Sequence, residues 1–139
     1  MLLRDELFAI FQAGVDAASA PATLIPLLPA GRPKGRTIVL GCGKAAAAMA
    51  EVAAAHLAGD VTGCVVTRFG HGAKAPTGDI MVIEASHPVP DAASLAAGRR
   101  IRELAATARE GDRVIFLISG GGSSLLVDPI PGLSPVSYT

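Results

Sequence analysis

Tryptophan is absent from this sequence, and one tyrosine with four phenylalanines brings the aromatic content to only 4% of 139 residues. Sites for single-stranded nucleic acid stack bases on aromatic rings, so this scarcity argues against them. An excess of one charge is missing too. Lys+Arg (12) equals Asp+Glu (12), and without a net field the chain has no long-range attraction for nucleic acid or acidic lipid. Cysteine is limited to Cys42 and Cys64, too few for a disulfide framework and at a spacing unlike any zinc site. Nor is there a long hydrophobic run. The most apolar stretch, Ala45 to Gly59, is broken by Glu51 and His56 and is too short to cross a bilayer. The opening Met1-Leu2-Leu3-Arg4-Asp5-Glu6-Leu7 carries acids where a secretory signal needs a basic start and then an apolar run. The expectation is a soluble, cytoplasmic protein with reduced thiols and neither a nucleic-acid nor a membrane partner.

What the chain does have is aliphatic mass. Half of it is hydrophobic and 17% is charged, a globular rather than a disordered composition. The length suits one domain, which buries roughly two thirds of its unfolded surface. Leu3, Leu7, Ile10, Phe11 and Val15 recur at helical spacing, with Arg4, Asp5, Glu6 and Asp16 off that stripe, so residues 2–19 read as an amphipathic helix. Prolines 21, 26, 29 and 33 punctuate a connection with room for one helical turn around Leu24–Leu28.

Thr37–Leu40 is a continuous apolar run of the buried-strand kind, meeting a glycine turn at Gly41–Lys44 and an Ala-rich helix to about Leu57. Gly63–Thr67, Ile80–Glu84 and Val114–Ile118 repeat the strand pattern. Asp91 is placed to cap a helix that keeps Leu95, Ile101 and Leu104 for the core and Arg99, Arg100, Arg102 and Glu103 largely for water. The order α-β-α-β-β-α-β predicts an α/β fold: an open, mostly parallel Rossmann-like sheet with flanking helices, apparently truncated, since such sheets continue past four strands.

In open α/β sheets ligands sit beyond the carboxyl ends of the strands. The first such end is Gly41-Cys42-Gly43-Lys44-Ala45-Ala46. Gly41 and Gly43 permit a tight turn, and the N–H groups of the following helix face an anion. Lys44 there opposes the helix dipole at about 0.3–1 kcal/mol, a penalty that a bound phosphate or carboxylate reverses. The bland alternative is a solvated lysine on an ordinary turn. The segment is no Walker A loop, but it matches G-x-G-x-x-A, and Arg68 after the second strand is where an NADP 2′-phosphate would be met. A reductase therefore stays open.

The second end is Ser119-Gly120-Gly121-Gly122-Ser123-Ser124, where three glycines allow a concave run of N–H donors and the hydroxyls add bonds to phosphate. A flexible linker is its bland counterpart. The other two strand ends offer Arg68 and His71, and His87 and Asp91. These are a bidentate clamp, two proton carriers and a carboxylate, each of which taken alone is more often structural. His71, His87 and Asp91 have no metal-site spacing, Ser123 has no base partner, and His56 and both cysteines read as structural.

Taken together, Gly41-Cys42-Gly43-Lys44-Ala45, Thr67-Arg68-Phe69-Gly70-His71-Gly72, Glu84-Ala85-Ser86-His87-Pro88-Val89-Pro90-Asp91 and Ile118-Ser119-Gly120-Gly121-Gly122-Ser123-Ser124-Leu125-Leu126 are specific where each is weak. In order and spacing they resemble the N-terminal part of glycerate 2-kinases that carry a C-terminal MOFRL domain, some of which have been labelled hydroxypyruvate reductases. The resemblance runs from Leu2 to Leu133. It implies a Rossmann-like domain over residues 1–133, an irregular tail at 134–139 and a C-terminal MOFRL domain lying outside this sequence. It further implies ATP-dependent, Mg²⁺-assisted phosphorylation of D-glycerate to 2-phosphoglycerate. Lys44 matches the family's glycine-turn lysine, assigned to charge stabilisation. Ser119 to Ser124 match its glycine-rich loop, and Arg68, His71, His87 and Asp91 its other cleft-side loops. A homo-oligomer is compatible with this reading. The competitors are an NAD(P)-dependent hydroxypyruvate reductase and a non-catalytic, anion-binding remnant.

Overall fold

Four segments rich in Val, Ile and Leu pair through their backbones into one sheet, and alternate side chains of its two central strands enter two cores, one on each face. The computed structural model describes residues 2–134. Residues 135–139, most of the expected irregular tail, lie outside the described residues. Helix α1 (Leu2–Ala17) and the short α2 (Ala20–Leu24), continued by a 3₁₀ turn at Ile25–Leu27, precede the sheet. Strand β1 (Thr37–Gly43), helix α3 (Ala46–His56), strands β2 (Val61–Arg68) and β3 (Asp79–Ala85), helix α4 (Ala92–Ala106) and strand β4 (Arg113–Ser119) follow. The sheet order is β3-β2-β1-β4, and every pairing is parallel. The fold is thus α/β, an open parallel sheet with flanking helices.

Within β1, Val39 faces one side, where Val65, Ile80 and Leu117 pack on Ala46, Ala50 and Ala53 of α3 and on Leu24. Its neighbours Ile38, Leu40 and Cys42 face the other, with Cys64, Val66 and Ala85 against Ala97, Ile101 and Leu104 of α4. A strand buried on both faces has no polar alternation, which is why β1 is buried along its whole length. Each fully buried Val or Ile contributes about 1.5–3 kcal/mol relative to exposure. The alanines of α3 let the helix lie close to the sheet. Both thiols belong to the second core, and burial pushes Cys64 up to about 11, although Arg100 pulls it down, and raises Cys42 as well.

The elements agree with the sequence reading except at three places. Strand β1 runs on to Gly43, so Gly41 is not part of a turn. It pairs with Val65 and Leu117, and a Cβ there would stand 2.6 Å from the Leu117 carbonyl oxygen. Prolines 21 and 26 open helical turns rather than breaking them, since each occupies a first-turn position whose N–H has no helical partner anyway. The apolar stripe of α1 forms, but Leu3, Leu7, Phe8, Ile10, Phe11 and Val15 are exposed, because α1 packs mainly on the short α2 and little on the sheet.

Strand β4 is an edge. Val114, Phe116 and Ile118 lie in register with Ile38, Leu40 and Cys42 on the α4 side, yet they are exposed because α4 packs over β1, β2 and β3. No single helix among the described residues is long and apolar enough to cross a membrane.

Candidate functional site

At the amino ends of the strands Asp112 ties the polar groups together, and the buried Thr37 Oγ1 alone among the described residues has no partner there. Asp112 accepts from the N–H groups of Arg36 and Arg109 at 3.0 Å each, and its carboxylate lies 3.6 Å from the Arg36 Nε. Those two backbone bonds hold the Asp112 carboxyl below its ordinary value, with the Arg36 charge adding to them. The concavity lined by Gly35, Arg36, Asp60, Arg109 and Asp112 is therefore a structural latch between the entries to β1 and β4.

The carboxyl ends differ. Gly43 adopts φ +123°, a conformation that favours glycine, and a Cβ on it would run into Ser119. The turn that follows is held from both flanking strands. The buried Thr67 at the end of β2 donates its Oγ1–H to the Lys44 carbonyl at 3.2 Å, and Ser119 at the end of β4 accepts the Ala45 N–H on Oγ at 2.8 Å. Helix α3 has no side-chain cap of its own and no acid in its first turn. Its leading N–H groups, Ala46 to Ala48, have no carbonyl one turn behind them. Lys44 is exposed at this uncompensated positive end.

Lys44, Ala45, Ala48 and Glu51 form one side of a cavity of about 310 Å³, and Gly70, His71, Gly72 and Lys74 form the other. Two lysines and a histidine beside a helix N-terminus suit an anion. Of the residues singled out from the sequence, Lys44 and His71 line this cavity, and Ser119 and Gly43 shape its turn. Arg68 is exposed at the end of β2 but is not in the lining.

His87 and Asp91 lie on the loop leading to α4. His87 is exposed, and Asp91 caps α4 in a reciprocal box with Ser94. The Asp91 Oδ1 accepts the Ser94 N–H at 3.0 Å and the Ser86 N–H at 3.4 Å. Burial raises the Asp91 pKa, and these bonds outweigh it and hold the carboxyl below its ordinary value. The Gly120–Ser124 loop stands beside the crevice between β1 and β4. Gly120 is at φ +70°, Gly121 has open space around it, Gly122 abuts Cys42, and Ser124 is buried while Ser123 is exposed.

Sequence reasoning missed Glu51 and Lys74. A carboxylate in an Ala-rich helix and a lysine in a loop look solvated, and only the packing of the loop on α3 brings them together. Among the described residues, no three His, Cys, Asp or Glu side chains could hold a metal ion.

Residues 6–137 match DUF4147, a domain of unknown function. A protein of Agrobacterium vitis provisionally named a hydroxypyruvate reductase is 48% identical over 127 residues, which is 91% of this chain and 28% of that protein. The D-glycerate 2-kinase of Thermotoga maritima is 44% identical over 100 residues, 71% of this chain and 24% of the kinase. The crystal structure of a glycerate kinase from Thermotoga maritima superposes with a TM-score of 0.80 at 36% identity, covering 96% of this chain and 32% of that one. The chain thus spans about a quarter to a third of the length of these relatives. It belongs to the DUF4147 family and corresponds to the N-terminal part of proteins named glycerate 2-kinases and hydroxypyruvate reductases.

Proposed function

We propose that this chain forms one wall of an ATP-dependent kinase that phosphorylates the 2-hydroxyl of D-glycerate, the second wall coming from a further domain outside these residues. The observation that carries the reading is Lys44, exposed at the uncapped start of α3 and pinned by Thr67 and Ser119. Phosphoryl transfer asks the protein mainly for positioning and for stabilisation of charge on the transferring group. Lys44 supplies the charge, and the α3 N–H groups and the Gly120–Ser124 loop supply donors on either side of it. The sheet order reverses between β1 and β4, and their carboxyl ends flank the crevice where ligands of such sheets bind. His71, across the cavity, is placed to donate to the glycerate carboxylate or to a phosphate oxygen.

ATP phosphates fit this donor set. Among the described residues no three carboxylate, histidine or cysteine side chains come together around it to hold magnesium, and no step is assigned to the metal. The reductase reading draws on the name of the Agrobacterium vitis relative and on Gly41-x-Gly43-x-x-Ala46. Gly41 lies within a strand paired on both sides, so this segment lacks the first-glycine turn of a dinucleotide fingerprint.

The test is a chimera in which this chain replaces the matching segment of the Thermotoga maritima kinase. D-glycerate-dependent ADP formation is expected from the chimera, with kcat reduced about 10²-fold or more by Lys44→Ala, and no turnover from the 139 residues alone. Hydroxypyruvate-dependent NADPH oxidation without ADP formation would establish the reductase instead.

A further inference from the structure

Parallel strands β2 and β3 are joined by residues 69–78 with no helix, so this connection must be held by something other than helical hydrogen bonds. Two carboxylates from two different elements hold it. On β3, Glu84 accepts the Gly70 N–H on Oε2 at 2.7 Å, and its Oε1 lies so close under Gly72 that a Cβ there would collide with it. On α3, Glu51 takes both the Lys74 and the Ala75 N–H on its Oε1, the latter at 3.1 Å. His71 sits between the two anchor points. Its own N–H donates to the Arg68 carbonyl at 3.1 Å, which closes the turn.

We infer that Glu51 and Glu84 are positioning residues for the anion site, fixing the 69–78 loop so that His71 and Lys74 stand across the cavity from Lys44. Three features favour this over a merely structural role. Both anchors lie on the loop arms and leave the apex facing the cavity. Glu51 itself lines that cavity beside Lys44. A carboxylate with no partner there would repel an anionic ligand in full, whereas the two N–H dipoles that meet Glu51 Oε1 offset part of its charge and turn that oxygen toward the loop. Gly70 and Gly72 follow from the same arrangement, one at φ +75° and the other clearing the Glu84 carboxylate.

This inference rests on the anion-site reading, so its test separates the two. Pyrophosphate is titrated calorimetrically into the wild-type chain and into Glu51→Ala, Glu51→Gln and Glu84→Ala, with folding checked by circular dichroism. Amide hydrogen exchange is followed by NMR on the same samples. Loss of a bond that orients a binding loop is expected to weaken pyrophosphate about tenfold in each alanine variant. Exchange should quicken at Lys74 and Ala75 in Glu51→Ala, and at Gly70 in Glu84→Ala, while β1 amides stay protected. Glu51→Gln keeps an acceptor oxygen and should bind within about threefold of wild type.

Faster loop exchange with unchanged affinity would make the carboxylates structural only and overturn the inference, as would unchanged exchange. A wild-type chain blind to pyrophosphate would remove the anion site. The positioning role would fall with it, because faster loop exchange without a bound anion reports a structural anchor only. Should Glu84→Ala fail to fold, Glu51→Ala, on the helix surface, decides.

Discussion

Replacing Ser119 by alanine separates its two possible duties, anchoring the Lys44 turn and touching a ligand. In the free chain its Oγ accepts the Ala45 N–H at 2.8 Å, a bond that ties the turn before α3 to a different strand. A typical intramolecular hydrogen bond is worth a net of about 0.5–1.5 kcal/mol. The turn faces water, which can replace the lost acceptor, so the lower half of that range applies, about 0.5–1 kcal/mol. No cavity term is added, because Ser119 is only half-buried and Lys44 and Ala45 beside it are exposed.

In urea, with a slope of about 1.5 kcal/mol/M, the midpoint should fall by about 0.3–0.7 M without a change in slope. Ser123→Ala is the control, since Ser123 is exposed and makes no side-chain bond within the described residues. Its effect should stay within about 0.5 kcal/mol. Equal midpoints for wild type and Ser119→Ala, or equal shifts in both variants, would refute the anchoring role.

Three further outcomes are expected. Gly122→Val drives a side chain into Cys42 and should cost about 1–3 kcal/mol in thermal melts, whereas Gly121→Val, with open space around it, should leave the melting temperature almost unchanged. Asp91 is held below its ordinary carboxyl pKa in the folded chain. The folded state therefore binds its proton less readily than the unfolded one, and the contribution is complete above the unfolded pKa and lost as pH falls through the folded value. Urea midpoints between pH 2 and 6 should fall less steeply in Asp91→Asn, which still caps α4 but does not titrate. The exposed stripe Val114, Phe116 and Ile118 on an edge strand favours pairing between chains. Sedimentation velocity should show self-association that Phe116→Lys reduces; an unchanged monomer in both would contradict this.

Much of the architecture could be read from residue patterns, for identifiable reasons. Strand β4 is the clearest because Val114–Ile118 is an unbroken apolar run, and the structure extends it by one residue at each end. The Asp91 cap was legible because a carboxylate before a helical pattern has few other uses, and the box with Ser94 confirms it. The sequence pattern ends β1 before Gly41 because glycine signals a turn more often than close packing, and only the neighbouring Leu117 carbonyl shows why Gly41 must lack a side chain.

The site divided in the same way. Lys44 stood out against the helix dipole, a local conflict visible in sequence. Arg68, His87 and Asp91 share the sheet edge with it, but none of them lines the cavity, and the β3–α4 loop leads to α4, which packs with the core opposite that of α3. Glu51 gave no signal, since its partners are backbone N–H groups of a loop distant in sequence.

The central claim is that Lys44 at the start of α3 binds the phosphates of ATP. Calorimetric titration of ATP into the wild-type chain and into Lys44→Ala tests it most directly. A charge-assisted bond to phosphate contributes about 1.5–3 kcal/mol, so the variant should bind about tenfold to a hundredfold more weakly, with circular dichroism unchanged. Equal affinity in the two chains, or no ATP binding by either, would contradict the account.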